Sequence, residues 1–130
     1  MRYAKNAGAV FSLKYHVVFC PKYRRPVLQS PVDTRLKELF EGIASDYELT
    51  LHAMEIMPDH VHLFVEADPT LCVAELVNRL KGVSSRILRQ EFPVLRSRLP
   101  TLWSRSYFAA TVGAVSEATI RRYIESQKGK

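Results

Sequence analysis

The chain has 130 residues, of which 47% are apolar and 25% charged, as expected for one globular domain with its own hydrophobic core. No apolar run approaches the roughly 20 residues that a membrane helix needs, and the N-terminus lacks a secretory signal, so we expect a cytoplasmic protein without a membrane partner. The net charge of +6 favours a polyanionic partner such as nucleic acid, although a solvated basic surface would give the same count.

The first half of the chain predicts strand, helix and strand. Residues 9–20 (AVFSLKYHVVFC) are rich in β-branched and aromatic residues, which indicates a first strand. Residues 33–46 carry apolar residues three and four apart, which predicts an amphipathic helix. Residues 49–56 predict a second strand. The turn residues Pro58 and Asp59 follow it closely, so this strand and the next should form an antiparallel hairpin.

The third strand contains two histidines one step apart. Val61, Leu63 and Val65 alternate with His60 and His62. Because side chains alternate faces along a strand, the two imidazoles should point the same way and the aliphatic residues the other way. We expect the aliphatic side to pack under helices and the histidines to stand on the opposite face of the sheet.

The second half of the chain predicts helix, strand and helix. Residues 71–90 present a broad apolar face and predict a second helix. Residues 102–112 (LWSRSYFAATV) predict a fourth strand, which Gly113 interrupts. Ser116 is suited to be the N-cap of a last helix that runs to about Gln127.

The element order β-α-β-β-α-β followed by a helix predicts an α+β fold of the ferredoxin-like type. Both crossover helices should cover one face of a four-stranded antiparallel sheet, with the first and third strands in the middle. The other face is open to the C-terminal helix. We therefore predict a single domain over residues 1–130 in which residues 116–128 form a mobile, tyrosine-bearing helix.

The last helix carries residues suited to act with the histidines. Tyr123 and Gln127 are one turn apart on one face, and Arg121 and Arg122 precede them. Each of these residues, taken alone, could also be an ordinary packed or solvated residue. In the same way, a lone His-x-His pair could be two surface histidines. Together, a hydroxyl nucleophile, an amide oxygen and two imidazoles could converge on one metal ion and act on a phosphodiester.

The chain resembles the single-tyrosine HUH transposases, the TnpA-type enzymes of small insertion sequences. The similarity covers nearly the whole chain, in the segments YHVVFCPKYRRPVL, MEIMPDHVHLFVE, LVNRLKGVSSRIL, LWSRSYFAATVG and SEATIRRYIESQ. The combination of MPDHVHLF with a late YIESQ is far more specific than the His-x-His pair.

This resemblance implies cleavage of single-stranded DNA near hairpins, with Mg²⁺ or Mn²⁺ as cofactor. Tyr123 would attack the scissile phosphate and form a 5′-phosphotyrosine, and a 3′-OH would then rejoin the strand. His60, His62 and Gln127 would hold the ion. The resemblance also implies a homodimer with composite active sites, the histidines coming from one protomer and the tyrosine from the other. Some relatives act on repeated palindromic hairpins instead of a mobile element.

Basic and aromatic residues suggest where DNA would lie. The predicted contacts are Lys22, Tyr23, Arg24, Arg25, Arg79, Lys81, Arg86, Arg105, Arg121 and Arg122, with Trp103 and Tyr107 as further aromatics that could stack on unpaired bases. The arginines on the second helix could also form a solvated face, and Trp103 could be a core residue. Two rival interpretations are a ferredoxin-like nucleic-acid-binding module without catalysis and a metal-dependent hydrolase without a covalent intermediate. Only the transposase links a tyrosine to DNA.

Overall fold

The computed structural model describes residues 4–6, 9–11, 13–68, 70–111 and 116–130. Its strands are β1 (Ala4–Asn6), β2 (Ala9–Phe11), β3 (Leu13–Phe19), β4 (Thr50–Met57), β5 (His60–Ala67) and β6 (Phe108–Thr111). Its α-helices are α1 (Val32–Asp46), α2 (Val73–Glu91), α3 (Pro93–Arg98) and α4 (Glu117–Ser126), and Lys22–Arg24 form a 3-10 turn. Within these ranges, none of the helices has the length and apolar character needed to cross a membrane.

The main sheet has the strand order β4-β5-β3-β6, with every neighbouring pair antiparallel. The first and third strands of the predicted pattern, β3 and β5, therefore lie in the middle, and β6 lies at an edge. The helices α1 and α2 pack on one face, and their apolar residues join those of the sheet in one core. The α+β, ferredoxin-like prediction is confirmed.

The alternation on β5 is also as predicted. Val61, Leu63 and Val65 are completely buried in the core with α1 and α2, because each apolar side chain removed from water stabilises the fold. His60 and His62 are half-buried on the opposite face. The helix α4 contacts β3.

Two predicted strands are shorter than expected. Within residues 9–20, only Leu13–Phe19 belongs to the main sheet, because Ala9–Phe11 pairs instead with Ala4–Asn6 in a separate hairpin. Within residues 102–112, only Phe108–Thr111 forms a regular strand, and Trp103 makes an isolated bridge to Pro21. The end of that predicted strand and the predicted break at Gly113 lie outside the described residues.

Trp103 is a core residue, which selects packing over base stacking between the two interpretations of this residue. Its ring packs edge-on against Phe19 with centroids 4.7 Å apart, and its Nε1 donates a hydrogen bond of 3.0 Å to Ser84 Oγ. Both the apolar body and the polar tip of the side chain are therefore used inside the domain, as is usual for a buried tryptophan.

The core permits a prediction about stability. We expect Leu63→Ala to lower the free energy of unfolding by about 3 kcal/mol, since it removes a fully buried side chain from the central strand and leaves a cavity. Urea denaturation followed by circular dichroism measures this change. A loss below about 1 kcal/mol would mean that the core closes around the site.

Candidate active site

A cleft of about 570 Å³ separates the open face of the sheet from α4. The sheet side contributes His16, Glu55, His60 and His62, and Arg24 and Asp59 lie in the adjoining loops. The helix contributes Glu117, Ile120, Arg121, Ile124 and Glu125. The cleft thus combines imidazoles, carboxylates and guanidinium groups in one concave site.

Both predicted histidine ligands line this cleft, and each has a partner. Asp59 Oδ1 lies 2.8 Å from His60 Nδ1, and because a carboxylate accepts hydrogen bonds, His60 donates through that nitrogen. In a neutral ring, this hydrogen bond would leave Nε2 of His60 with its lone pair. The ring of His62 contacts that of His16, with 3.0 Å between His62 Nε2 and His16 Nδ1.

His62 is held in its neutral form. Burial lowers the pKa of its imidazole, and the neighbouring His16 lowers that pKa further, against the opposing effect of Glu55. A neutral imidazole can donate a lone pair to a cation without first releasing a proton.

Tyr123 and Gln127 lie on a different side of α4 from the cleft. The hydroxyl of Tyr123 is 2.8 Å from Ser106 Oγ, and Ser106 donates a hydrogen bond of 2.9 Å to Gln127 Oε1. Ser104 donates to the same oxygen at 3.3 Å. Gln127 is only 5% exposed. The structure therefore brings the tyrosine and the glutamine together but directs both towards two serines, away from His60 and His62.

This environment does not activate the tyrosine. Burial raises the pKa of the Tyr123 hydroxyl, and its hydrogen bond with Ser106 only partly offsets that rise in pKa. The phenol is therefore protonated near neutral pH in this arrangement. Attack on a phosphate would require a change in the surroundings of Tyr123, for example contact with a cation.

Lys81 holds the segment that carries the two serines through hydrogen bonds to its backbone. Its Nζ donates to the carbonyl oxygens of Ser104 and Ser106, at 2.6 and 3.2 Å. Burial also lowers the pKa of this lysine. These contacts engage the ammonium group within the domain, and DNA contact by Lys81 stays a prediction.

Apart from Arg105, the other predicted DNA contacts fall into two groups. Arg79 and Arg86 are exposed on α2, in the helix layer on the far side of the sheet from the cleft. The second group, nearer to the cleft or on α4, comprises Lys22, Tyr23, Arg24, Arg25, Arg121 and Arg122. Tyr23 and Arg25 line a smaller cleft of about 340 Å³ with Lys128. Arg105 is exposed between the two serines. DNA contact by these residues stays a prediction.

Several residues of the site were not among the predicted ones. His16 lies on the neighbouring strand and reaches His62, and Ser104 and Ser106 reach Gln127. The alternation of β3 places His16 on the open face, but nothing local indicates which residue of β5 it meets. The serines fell within a predicted strand that is irregular in the structure.

The donor atoms of the cleft fit a divalent cation in part. His60 and His62 offer two imidazoles from one strand face, a common pair in metal sites. Within the described part of the chain, no three His, Cys, Asp or Glu side chains group closely enough to hold an ion. A complete set would therefore need another ligand type, such as an amide oxygen, or a ligand from a second chain.

Comparison with known proteins gives concordant results. The model of the family described as "Transposase IS200 like" matches residues 9–127. The chain is 41% identical over 128 residues to the ISDra2 transposase TnpA of Deinococcus radiodurans, covering 97% of this chain and 91% of that protein. It is 30% identical over 119 residues to the transposase for insertion sequence element IS200 of Salmonella typhimurium, covering 90% and 78%.

Comparison with solved structures agrees with the sequence comparisons. A crystal structure of a transposase-like protein from Deinococcus radiodurans R1 superimposes with a TM-score of 0.88 at 38% identity, covering 97% of this chain and 98% of that one. A REP-associated tyrosine transposase bound to a REP hairpin gives a TM-score of 0.59 at 12% identity, covering 96% and 67%. The second similarity concerns the fold alone.

Proposed function

Because the chain belongs to the IS200-like transposase family, it is a transposase, and we propose that it cleaves and rejoins single-stranded DNA through a 5′-phosphotyrosine intermediate. The observation that carries the proposal is the juxtaposition of two elements. His60 and His62 line one wall of a cleft, and the other wall is the helix that bears Tyr123. An RNA-binding module of similar topology would require neither feature.

The proposed reaction conserves the number of phosphoester bonds. The hydroxyl oxygen of Tyr123 forms a bond to the scissile phosphorus, the bond to the 3′ oxygen breaks, and the leaving strand takes a proton to become a free 3′-OH. A 3′-OH then attacks the phosphotyrosine and releases Tyr123. Since each step exchanges one ester for another, no nucleotide hydrolysis is needed.

We further propose that His60 and His62, with Gln127 as third ligand, hold Mg²⁺ or Mn²⁺. When bound, such an ion would polarise the phosphoryl oxygens and place the phosphate for in-line attack. Neighbouring residues of this chain orient the two histidines and influence their protonation. Asp59 fixes the ring of His60, and burial keeps His62 neutral by lowering its pKa. Arg121, exposed on the cleft wall, is suited to contact a phosphate.

The orientation of α4 supports a composite site in a homodimer. Within one chain, Tyr123 and Gln127 contact Ser104 and Ser106 and do not line the cleft that holds His60 and His62. One chain in this arrangement therefore lacks a complete site. The edge strand β6 (FAAT) carries no charged residue to prevent pairing with a second copy, and a two-fold dimer would close that edge.

Co-expression of two inactive variants tests the composite arrangement. Tyr123→Phe and His62→Ala chains together should recover cleavage to roughly a quarter of the wild-type level, since half of random dimers are mixed and each has one intact site of two. The adduct should form on the tyrosine of the His62→Ala chain, which a size tag on that chain identifies. Absence of recovery in a verified mixed dimer would contradict the composite site and leave the chemistry itself unchanged.

The proposed substrate is single-stranded DNA that carries hairpins. The structural neighbour of 12% identity is bound to a REP hairpin, and the net charge of +6 suits a polyanion. Action on insertion-sequence ends is the function that the more similar relatives favour, since they are insertion-sequence transposases. Imperfect palindromes in the DNA flanking the gene would identify the hairpins, and their repetition elsewhere in the genome would indicate the alternative, domesticated role.

The proposed function is tested by trapping the intermediate. The protein is incubated with Mg²⁺ or Mn²⁺ and a single-stranded oligonucleotide that contains a flanking hairpin and carries a label 3′ of the cleavage site. A labelled protein–DNA adduct that survives denaturation is the expected result. Strand cleavage without any adduct would instead support a hydrolase, and binding without cleavage would support a nucleic-acid-binding module.

A further inference from the structure

Arg24 lies where the loop after β3, the β4–β5 turn and α4 meet. Its Nε is 3.4 Å from Asp59 Oδ2 in the turn. Its Nη1 donates to the carbonyl oxygen of Ile124 at 3.3 Å and lies 3.5 Å from Glu125 Oε2, both on α4. The side chain is only 17% exposed. One guanidinium group thus contacts both walls of the cleft.

The backbone of the loop is strained in a way that places this side chain. Tyr23 and Arg24 both have positive φ, at 61° and 54°, a conformation that side chains with a Cβ rarely adopt. The loop is held by hydrogen bonds from Lys22 N to Leu102 O and from Arg24 N to Pro21 O, each 2.8 Å. Strain of this kind persists where surrounding contacts impose it, and it is concentrated at functional sites.

On the sheet side, Arg24 acts on the residue that orients His60. Asp59 uses one carboxylate oxygen for His60 Nδ1 and the other for Arg24 Nε. A carboxylate held at both oxygens has a fixed direction, and so has the imidazole that donates to it. Partners of this kind set the tautomer and ring orientation of histidines that ligate cations.

On the helix side, Arg24 contacts the backbone next to the tyrosine. Ile124 directly follows Tyr123, and its carbonyl oxygen already accepts from Gln127 N at 3.1 Å. A guanidinium at this carbonyl and at Glu125 holds the C-terminal half of α4 against the cleft. The same group therefore holds the element that carries the proposed nucleophile.

We propose that Arg24 is a positioning residue that couples the orientation of His60 to the position of α4. The inference rests on the proposed function, because only there do His60 and the helix α4 both take part in the reaction. Arg24 was predicted from the sequence as a DNA contact. Its guanidinium is instead engaged by two carboxylates and a carbonyl oxygen, whereas Arg121 on the same cleft is exposed to a substrate.

The test uses the DNA-free full-length protein and two variants of Arg24. Arg24→Met keeps the apolar stem and removes the guanidinium. Arg24→Lys keeps the charge but has no fork to bridge Asp59 and Ile124 together. Lys37→Met is the control, since it removes one positive charge from an exposed residue of α1, a helix on the other side of the sheet. Amide hydrogen exchange reports on α4 and α1, and imidazole ¹⁵N spectra report on the tautomer of His60.

In Arg24→Met we expect exchange in α4 to rise about tenfold while exchange in α1 is unchanged, as for loss of a charge-assisted hydrogen bond. His60 should lose its single Nδ1-protonated tautomer. Arg24→Lys should give intermediate changes in both, and Lys37→Met none. Unchanged α4 exchange and an unchanged His60 spectrum in Arg24→Met would overturn the proposal, even if DNA affinity fell as it would for a lost phosphate contact.

If Arg24→Met also loses protection in α1, the substitution has weakened the whole fold, and a second variant is needed to test the coupling. Asp59→Asn keeps an oxygen acceptor for His60 and removes the charge that holds Arg24. We expect it to speed exchange in α4, which Asp59 influences through Arg24. Unchanged α4 exchange in this variant would overturn the coupling. None of these measurements uses cleavage, so their failure is separate from failure of the proposed function, which the DNA adduct decides.

Discussion

Tyr123→Phe should abolish strand cleavage and the covalent adduct while leaving hairpin binding unchanged. The substitution removes only the hydroxyl oxygen that is proposed to form the bond to phosphorus, and the ring keeps its contact with Phe108, whose centroid is 5.7 Å away. Loss of a nucleophile lowers turnover by on the order of 10⁴ or more. Labelled single-stranded DNA, resolved on denaturing gels for the adduct and on native gels for binding, measures both quantities.

Tyr47→Phe is the matched control for this experiment. Tyr47 follows α1 on the other side of the sheet, so its variant should retain the adduct. Loss of the hydrogen bond to Ser106 should change the stability of Tyr123→Phe by no more than about 1 kcal/mol, and a melting curve checks that the fold is intact. An adduct of normal yield with Tyr123→Phe would assign the nucleophile to another residue.

His62→Ala should reduce cleavage by at least roughly 100-fold with any divalent ion, because the proposed site then retains a single imidazole. His60→Ala should have a similar effect. Gln127→Ala should have a smaller one, since water can replace a neutral oxygen ligand. Cleavage rates across a series of Mg²⁺ and Mn²⁺ concentrations, together with Mn²⁺ binding to the DNA-free protein by electron paramagnetic resonance, measure these effects.

His52→Gln is the control for the histidine variants. His52 lies on β4, where its Nε2 contacts Glu66 at 2.7 Å, and it does not line the cleft. A glutamine amide can still donate to that carboxylate, so this variant should keep both the fold and cleavage. Normal cleavage by His60→Ala and His62→Ala would place the site elsewhere, and full activity in EDTA would contradict a divalent ion.

The sequence was sufficient to predict features that depend only on residues close together in the chain. Alternation along β5 separates His60 and His62 from Val61, Leu63 and Val65, because successive residues of any strand point to opposite faces whatever the strand pairs with. The N-cap of α4 is equally local. The side chain of Ser116 accepts a hydrogen bond of 3.2 Å from Thr119 N, three residues away.

The ends of the strands were less predictable from the sequence. The β-propensity of a segment measures how well it suits a half-buried surface, but it does not say which other strand the segment pairs with. Residues 9–11 suit a strand and form one, but their partner is Ala4–Asn6. Trp103 suits a strand as well, yet its ring contact with Phe19 and its hydrogen bond to the hydroxyl of Ser84 hold it in the core. Regular pairing therefore begins only at Phe108.

By itself, the sequence determined the order of the four main-sheet strands and of the helices α1, α2 and α4. It also determined the buried face of β5 and the residue types that could perform chemistry, because hydrophobic periodicity and capping act within a few residues. Only the tertiary structure decided which of these residues meet. His16 and His62 are 46 positions apart, and Arg24 and Ile124 are 100 apart. Contacts over such separations depend on strand register, on the strained loop at Tyr23 and on the packing of α4. These features follow from the free energy of the whole domain and are not encoded in any short segment.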